Sequence, residues 1–327
     1  MSLTSTYKFV NRCKKMPEYS RGGLLVVIIQ QLIINGFISG GIYALVAVGF
    51  AIIYRAGKFF HLAHGAVYTV AAYMAYTTVT LWLSVFGSVS APGWLVAVLT
   101  GVIGAGATGV AIDRLVYHPL RKQNASNLTL LIASFGVLIF VQNLIQLVYG
   151  AQTLSMRFGS VKEGYRFIGA VITDIQVLII AVSCLLMFGS WWLLQGTKLG
   201  KAIRAVSDDP VAANIVGINS DRIILYSFLT GSALAGIAGI LISFETNIEP
   251  TMGFTAVLKG IVASIVGGVG NVPGAVLGGF FLGLVENLGI WHIRAEWKDA
   301  IAFGILIAFL LIRPLGFWGT RTEKEGL

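Results

Sequence analysis

FFHLAHGAVYTVAAYMAYTTVTLWLSVFGSVSAPGWLVAVLTGVIGAGATGVAI, residues 59–112, is a run of 54 residues without one Asp, Glu, Lys or Arg. As a single helix it would extend about 81 Å at 1.5 Å per residue, far beyond the roughly 30 Å hydrocarbon core of a bilayer. It must therefore fold back, and Ala91, Pro92 and Gly93 mark the turn between two membrane-crossing helices. Outward from this stretch, further uncharged runs lie from Gly22 to Tyr54, Gln123 to Met156, Ile175 to Thr197, Ile223 to Phe244 and Gly260 to Val285, with a last apolar run after Asp299. Only 11% of the 327 residues are charged and 56% are apolar, whereas a soluble domain carries about 25% charged residues. The expected fold is an all-α polytopic membrane protein with eight to ten transmembrane helices.

Spans are expected near residues 28–54, 64–86, 93–116, 128–149, 175–195, 222–243 and 300–317. Between the last two, residues 254–290 form a broken segment. Phe254 to Val269 and Gly274 to Ile290 are two short apolar pieces parted by Gly270, Asn271, Val272 and Pro273, readable as two short spans or as a re-entrant hairpin. The Gly22 run exceeds the apolar core of about 7–15 residues in a signal peptide and no small-residue cleavage site follows it, so it counts as a span. One transmembrane domain over 24–318 results, flanked by a basic N-terminal tail, 1–23, and a C-terminal tail, 319–327.

The formal net charge of +9 reflects the Lys and Arg excess of cytoplasmic loops and not nucleic-acid binding. Arg55 and Lys58, then Arg114, Arg121 and Lys122, then Lys198, Lys201, Arg204 and Arg222 alternate with the uncharged Ser88 to Gly93 turn and the acidic Glu245 to Glu249 loop. Nine crossings with that alternation put the N-terminal tail outside, although Lys8, Arg12, Lys14, Lys15 and Arg21 face a single Glu18 there. Either the tail breaks the rule or one crossing is unseen, hence the range of eight to ten.

The longest amphiphilic segment between spans is GTKLGKAIRAVSDDPVAANIVGINSD, residues 196–221. A short helix starting about Pro210, capped by Asp208 or Asp209 and ended at Gly217, would lie along the cytoplasmic face. That shape suits docking to a soluble partner; the alternative is a solvated loop whose basic residues only fix topology.

Polar groups at membrane depth mark a pathway or satisfy a neighbouring helix. Asn35, Gln142, Asn143, Glu286 and Asn287 are the candidates for a translocation path, with His64 as a residue that could line a cavity. Glu286 stands out, being a carboxylate two-thirds along an apolar run; Lys259 could pair with it or with a loop acid. The helix starts at the Gly267 to Gly274 break and at Phe60 to Gly65 would offer amide donors to a carboxylate. His61 and His64 share a face but lack a third metal ligand, no cofactor motif is present, and Cys13 and Cys184 form no disulfide framework. No G-x-x-x-x-G-K-[ST] occurs. The GxGxxG of Gly104, Gly106 and Gly109 lies inside a span, where Gly101, Ala105 and Gly109 read as a small-residue packing stripe, as do Gly231, Ala235 and Gly239, and Ala275, Gly279 and Gly283.

GGIYALVAVGFAIIYRAG, HLAHGAVYTVAAYMA, RLVYHPLR, LIASFGVLIFVQNLIQLVYG, GKAIRAVSDDPVAANIVGIN, IVGGVGNVPGAVLGGFFLGLVENL and EWKDAIAFGILIAFLLIRPLGFWG occur in that order over nearly everything after Gln30. In these stretches the chain resembles the membrane permeases of branched-chain amino acid ABC transporters. The resemblance implies an importer in which two such permease subunits, identical or homologous, join two cytoplasmic ATP-binding subunits and an extracytoplasmic substrate-binding protein in a bacterial or archaeal plasma membrane. It implies no ATPase site in this chain. It also implies that residues 200–219 dock into the ATPase, through Gly200, Arg204, Asp208, Asp209, Ala212 and Gly217. Two features depart from the family: Ala66 follows His64 and Gly65 where an acidic residue is common, and the basic extension before Gln30 is long. Similar permeases carry branched-chain amino acids, wider sets of neutral amino acids, or urea and short amides. Outside the family, an ion-coupled secondary transporter and an intramembrane enzyme are the other classes; the first would show inverted repeats and the second a nucleophile with its base.

Overall fold

The computed structural model describes residues 18–319 apart from 89, 157–163, 168 and 292. Residues 1–17 of the expected basic tail and residues 320–327 of the C-terminal tail lie outside the described residues. Along the chain come α1 (Glu18–Gly57), α2 (His64–Phe86), α3 (Ala91–Ile112), a π turn (Asp113–Tyr117), α4 (His118–Lys122) and α5 (Asn127–Tyr149). A small antiparallel hairpin follows, β1 (Tyr165–Phe167) paired with β2 (Ala170–Ile172) so that Arg166 faces Val171. Then come α6 (Asp174–Gly196), α7 (Lys198–Asp208), α8 (Pro210–Ile215), α9 (Ser220–Glu245), α10 (Met252–Gly267), α11 (Val272–Gly289) and α12 (Lys298–Ile312). Among the described residues seven helices are long and apolar enough to cross a membrane. The 16-residue α10 and 15-residue α12 are shorter apolar helices.

Local chemistry sets most of the ends. Gly87 closes α2 with φ 71°, where its lack of a side chain removes the strain. Ser126 caps α5, and Thr173 with Gln176 forms a reciprocal capping box at α6. Three boundaries differ from expectation. The first helix already includes residues 18–27, so it extends beyond the expected start at 28. The third span runs on into the π turn, where Pro119 cannot donate an amide hydrogen bond and the backbone widens. The last helix ends at Ile312 instead of near 317, since Pro314 disfavours helical geometry at Arg313.

Helix α1 runs through the middle of the bundle, every residue from Ala44 to Ile53 buried. The broken segment is an antiparallel pair, α10 and α11, with Gly267 seated on Gly274 and Gly278 on the backbone of Ala263. Its tip lies beside Tyr54 near the end of α1. Helices α5, α6 and α12 line the perimeter, presenting Leu128, Ile132, Phe140, Leu147, Leu185, Phe188, Trp192, Ile307 and Leu311 outward.

The three small-residue stripes are the contact lines of the bundle. A Cβ on Gly101 would stand 2.8 Å from the Ala71 carbonyl, one on Gly231 2.6 Å from the Gly49 carbonyl, and one on Gly279 2.5 Å from Ala44 Cα. Such contacts leave no space for a methyl group. Gly279→Leu should therefore cost about 3 kcal/mol or more of stability and sharply lower the folded protein recovered from membranes. Gly136→Ala, where a Cβ would meet nothing within 4 Å, should leave recovery and thermal melting in detergent unchanged.

Candidate functional site

Charged groups gather at one end of the bundle. Arg55 and Lys58 of α1 and the turn after it lie within electrostatic reach of Asp208, and Arg55 of Arg204 as well. His118 of α4 stands 3.8 Å from Asp221 of α9, and Arg121 pairs with the buried Asp113 at 2.8 Å. At this basic end the segment 196–221 folds as two helices. The second, α8, is the one expected from the sequence; the first, α7, is an addition. Thr197 starts α7 by accepting the Gly200 amide at 3.1 Å, and Ile203 and Val206 bury its inner face while Lys198 and Lys201 face out.

The expected coupling residues fall on these two helices. Gly200 presses on the carbonyls of Leu193 and Leu194 at the end of α6, and Arg204 donates to that same Leu194 carbonyl and to Gln195 Oε1. Of the two capping candidates, Asp209 is the cap: its Oδ1 accepts the amides of Val211 at 2.8 Å and Ala212 at 3.1 Å. Asp208 closes α7 and faces Arg55 and Lys58. Gly217 ends the turn with φ 86°. Ser220 Oγ donates to the Pro210 carbonyl at 2.9 Å, and the Ser220 amide donates to Asn214 Oδ1 at 3.0 Å, which ties α8 to α9. Only Ala213 of α8 is buried. Val211, Ile215 and Val216 are 67%, 81% and 74% exposed beside the basic residues, an apolar tip on a charged face.

The expected path residues separate into groups. Glu286 is fully buried on α11; its Oε2 accepts Tyr43 Oη of α1 at 2.8 Å and Lys259 Nζ of α10 at 3.2 Å. Lys259 also donates to Tyr43 Oη at 3.1 Å and pairs with Asp299 at 3.0 Å. Lys259 thus takes Glu286, as one of the sequence alternatives had it, and in place of a loop acid the helix residue Asp299. Asn287, next along α11, donates to the Gly283 carbonyl at 2.8 Å and accepts from Lys298 Nζ at 3.4 Å. Asn35 lies nearer the opposite end of α1 and accepts from Gln31 at 3.1 Å, while Gln31 also grips both backbone groups of Val171 in β2. Gln142 is half-buried on the peripheral α5, and Asn143 is exposed there, its amide turned back to the Ile139 carbonyl at 2.8 Å. Those two do not join the Glu286 group.

His64 opens α2 deep in the bundle, so close to Gly49 that a Cβ there would be 3.0 Å from its Nε2. Gly49 lies eight residues before the end of α1, so residues 58–63 double back and α2 begins inside the protein. The first turns of α2 and α10 meet there, Gly65 against Gly253. His61, in the doubling loop, is buried and shares a 2.9 Å hydrogen bond with Tyr117 of the π turn. This pairing over 56 residues has no signal in the sequence. At the other candidate helix start, Asn271 Oδ1 takes the Gly274 amide at 3.1 Å, and the C-terminal turn plugs the break through Phe317 N to Val266 O and Trp318 N to Gly267 O. No group of three His, Cys, Asp or Glu able to hold a metal occurs among the described residues.

Seven helices long and apolar enough to cross a membrane among the described residues, with an ion pair buried between them, define a multi-pass membrane protein. Residues 32–310 match the family described as the branched-chain amino acid transport system / permease component, and the chain belongs to that family. Family members are transport subunits and are not themselves catalytic. The chain is 37% identical over 91% of its length, and 97% of the relative's, to the high-affinity branched-chain amino acid transport system permease protein BraD of Pseudomonas aeruginosa. It is 35% identical over 90% of its length and 96% of the relative's to the corresponding permease protein LivH of Escherichia coli K12. A third similar protein, the probable branched-chain amino acid transport permease protein LivH of Methanocaldococcus jannaschii, is 29% identical over 90% of this chain and 94% of its own.

Asp209→Ala should leave the first α8 amides uncapped at a cost of about 1 kcal/mol. Backbone hydrogen exchange over residues 210–216 should rise by roughly fivefold as α8 frays, while Asp209→Asn, which still caps, stays near the parent protein.

Proposed function

We propose that this chain is the membrane-spanning permease subunit of an ATP-driven importer for branched-chain or other neutral amino acids in a bacterial or archaeal plasma membrane. The family match over residues 32–310 carries this reading, and the substrate class follows the names of the relatives. Two copies, or this chain with a homologous one, form the path. A separate extracytoplasmic protein delivers the amino acid, and two cytoplasmic ATP-binding subunits supply the energy.

The geometry of the basic end supports a coupling role for α7 and α8. A helix meant only to cover a loop would bury its apolar side, whereas α8 holds Val211, Ile215 and Val216 outward on a frame that Asp209, Asn214 and Ser220 keep rigid. An apolar knob ringed by charge fits a cleft in a soluble partner. Arg204 and Gly200 lock α7 to the end of α6, so a push on α8 is delivered to the spans and not lost in a flexible loop.

The test is uptake of radiolabelled leucine, alanine and urea in cells lacking the protein, with and without its restoration and with and without ATP depletion. Restored leucine uptake that disappears on ATP depletion is the expected result. Uptake of urea alone would overturn the substrate class, and uptake driven by an ion gradient would overturn the mechanism. Ile215→Asp and Arg204→Glu should each reduce uptake and stimulation of the ATPase by about tenfold, a loss of roughly 1.4 kcal/mol, at unchanged membrane content. Normal transport in both would remove the coupling role.

A further inference from the structure

Helix α12 is fastened at its two ends by different chemistry. Along its length only Ala302 is buried, against nine residues of α11. At the basic end Phe309 and Phe317 pack on each other and on Phe281, with ring centroids 5.0–5.8 Å apart. Backbone bonds from Phe317 and Trp318 to the hairpin tip, and from Asn271 Nδ2 to the Trp318 carbonyl, complete that anchor. At its other end α12 packs through Ile301 against Gly289 and through Ala302, Ile305 and Leu306 on the core, and polar groups fix its first turn: Asp299 to Lys259, and Lys298 to Asn287.

We infer that Lys259 is a positioning residue for transport, a shared cation that latches the start of α12 onto the α10–α11 hairpin and releases it during the cycle. This rests on the reading of the chain as an ATP-driven permease. The two legs of Lys259 are unequal. Its partner Glu286 is completely buried and also takes the Tyr43 hydroxyl, so parting that pair would strand a charge in the protein interior. Asp299 is 58% exposed, and water can replace Lys259 there at little cost. The charged groups facing the joint are Lys259 of α10, Glu286 of α11, and Lys298 and Asp299 of α12, two of each sign. Opening the Asp299 leg therefore leaves Lys259 paired and loosens the first turn of α12, which Lys298 to Asn287 and the apolar contacts of Ile301 and Ala302 still hold to α11 and the core.

Asp299→Asn in the reconstituted full transporter tests this, because the altered residue is exposed and its loss leaves no buried charge unpaired. Hydrogen exchange over residues 298–305 should quicken by about threefold to fivefold, the shift expected from losing one half-exposed ion pair. Basal ATP hydrolysis without substrate should rise by a similar factor, thermal melting should stay put, and Asp299→Glu should restore both. The parent protein at about 1 M salt, where the screening length falls to roughly 3 Å, should move toward the variant. Unchanged exchange in Asp299→Asn would overturn the latch, and faster exchange with unaltered ATPase and uptake would reduce it to a structural contact. An unaltered protein with no ATP-dependent uptake would instead overturn the functional reading, while the exchange rates would still report whether Lys259 holds α12.

Discussion

The backbone contact between α1 and α11 is the constraint on which the rest of the molecule depends. Gly279 rests on Ala44, and Gly283 on Gly36 and Gly40, so two helices that run in opposite directions touch main chain to main chain. That contact also explains the internal ion pair. Tyr43 lies about one turn beyond Gly40, and Glu286 one turn beyond Gly283. Helical side chains lean toward their own N-termini, and in antiparallel helices these two leans converge. Tyr43 and Glu286 meet at the depth of the glycine contact, and Lys259 reaches in from α10. A packing motif of the smallest residues thus brings a buried carboxylate together with its partners on two other elements.

Most helices were legible in the sequence because lipid makes charge expensive, so the uncharged runs mark the spans, with Ala91 to Gly93 dividing the one run that holds two. The short α8 was equally legible, since Asp209, Pro210 and Gly217 each act through their own backbone. The preceding α7 was not read as a helix, although Thr197 before it and Ile203 and Val206 within it carry the signal: a segment with Lys198, Lys201 and Arg204 looks like solvated loop until its apolar face has something to lie on. The family resemblance carried by the motifs after Gln30 agrees with the match over residues 32–310.

The candidate site was legible only in part. Glu286 announced itself as a carboxylate in an apolar run, but its partners on α1 and α10 are 243 and 27 residues away and are brought in by helix packing. Asn143 and Asn287 are the same residue type in runs of similar hydropathy, yet one faces outward from the perimeter and the other is buried beside the ion pair. What separates them is the position of α5 outside the bundle and of α11 at its centre, which no local pattern encodes. The tie between His61 and Tyr117 is hidden for the same reason: the loop that carries His61 doubles back into the protein.

Helix α1 is a continuous 40-residue rod, about 60 Å at 1.5 Å per residue. Near its basic end Arg55 faces Asp208, the residue that closes α7, and toward the other end Gln31 clasps the β-hairpin by both backbone groups of Val171. A stiff rod behaves as a lever. Gln31 and Arg55 are 24 residues apart, about 36 Å along the helix, so a tilt of about 5° carries one sideways relative to the other by about 3 Å. A single secondary-structure element thus joins the end of the bundle that carries α7 to the end that carries the β-hairpin.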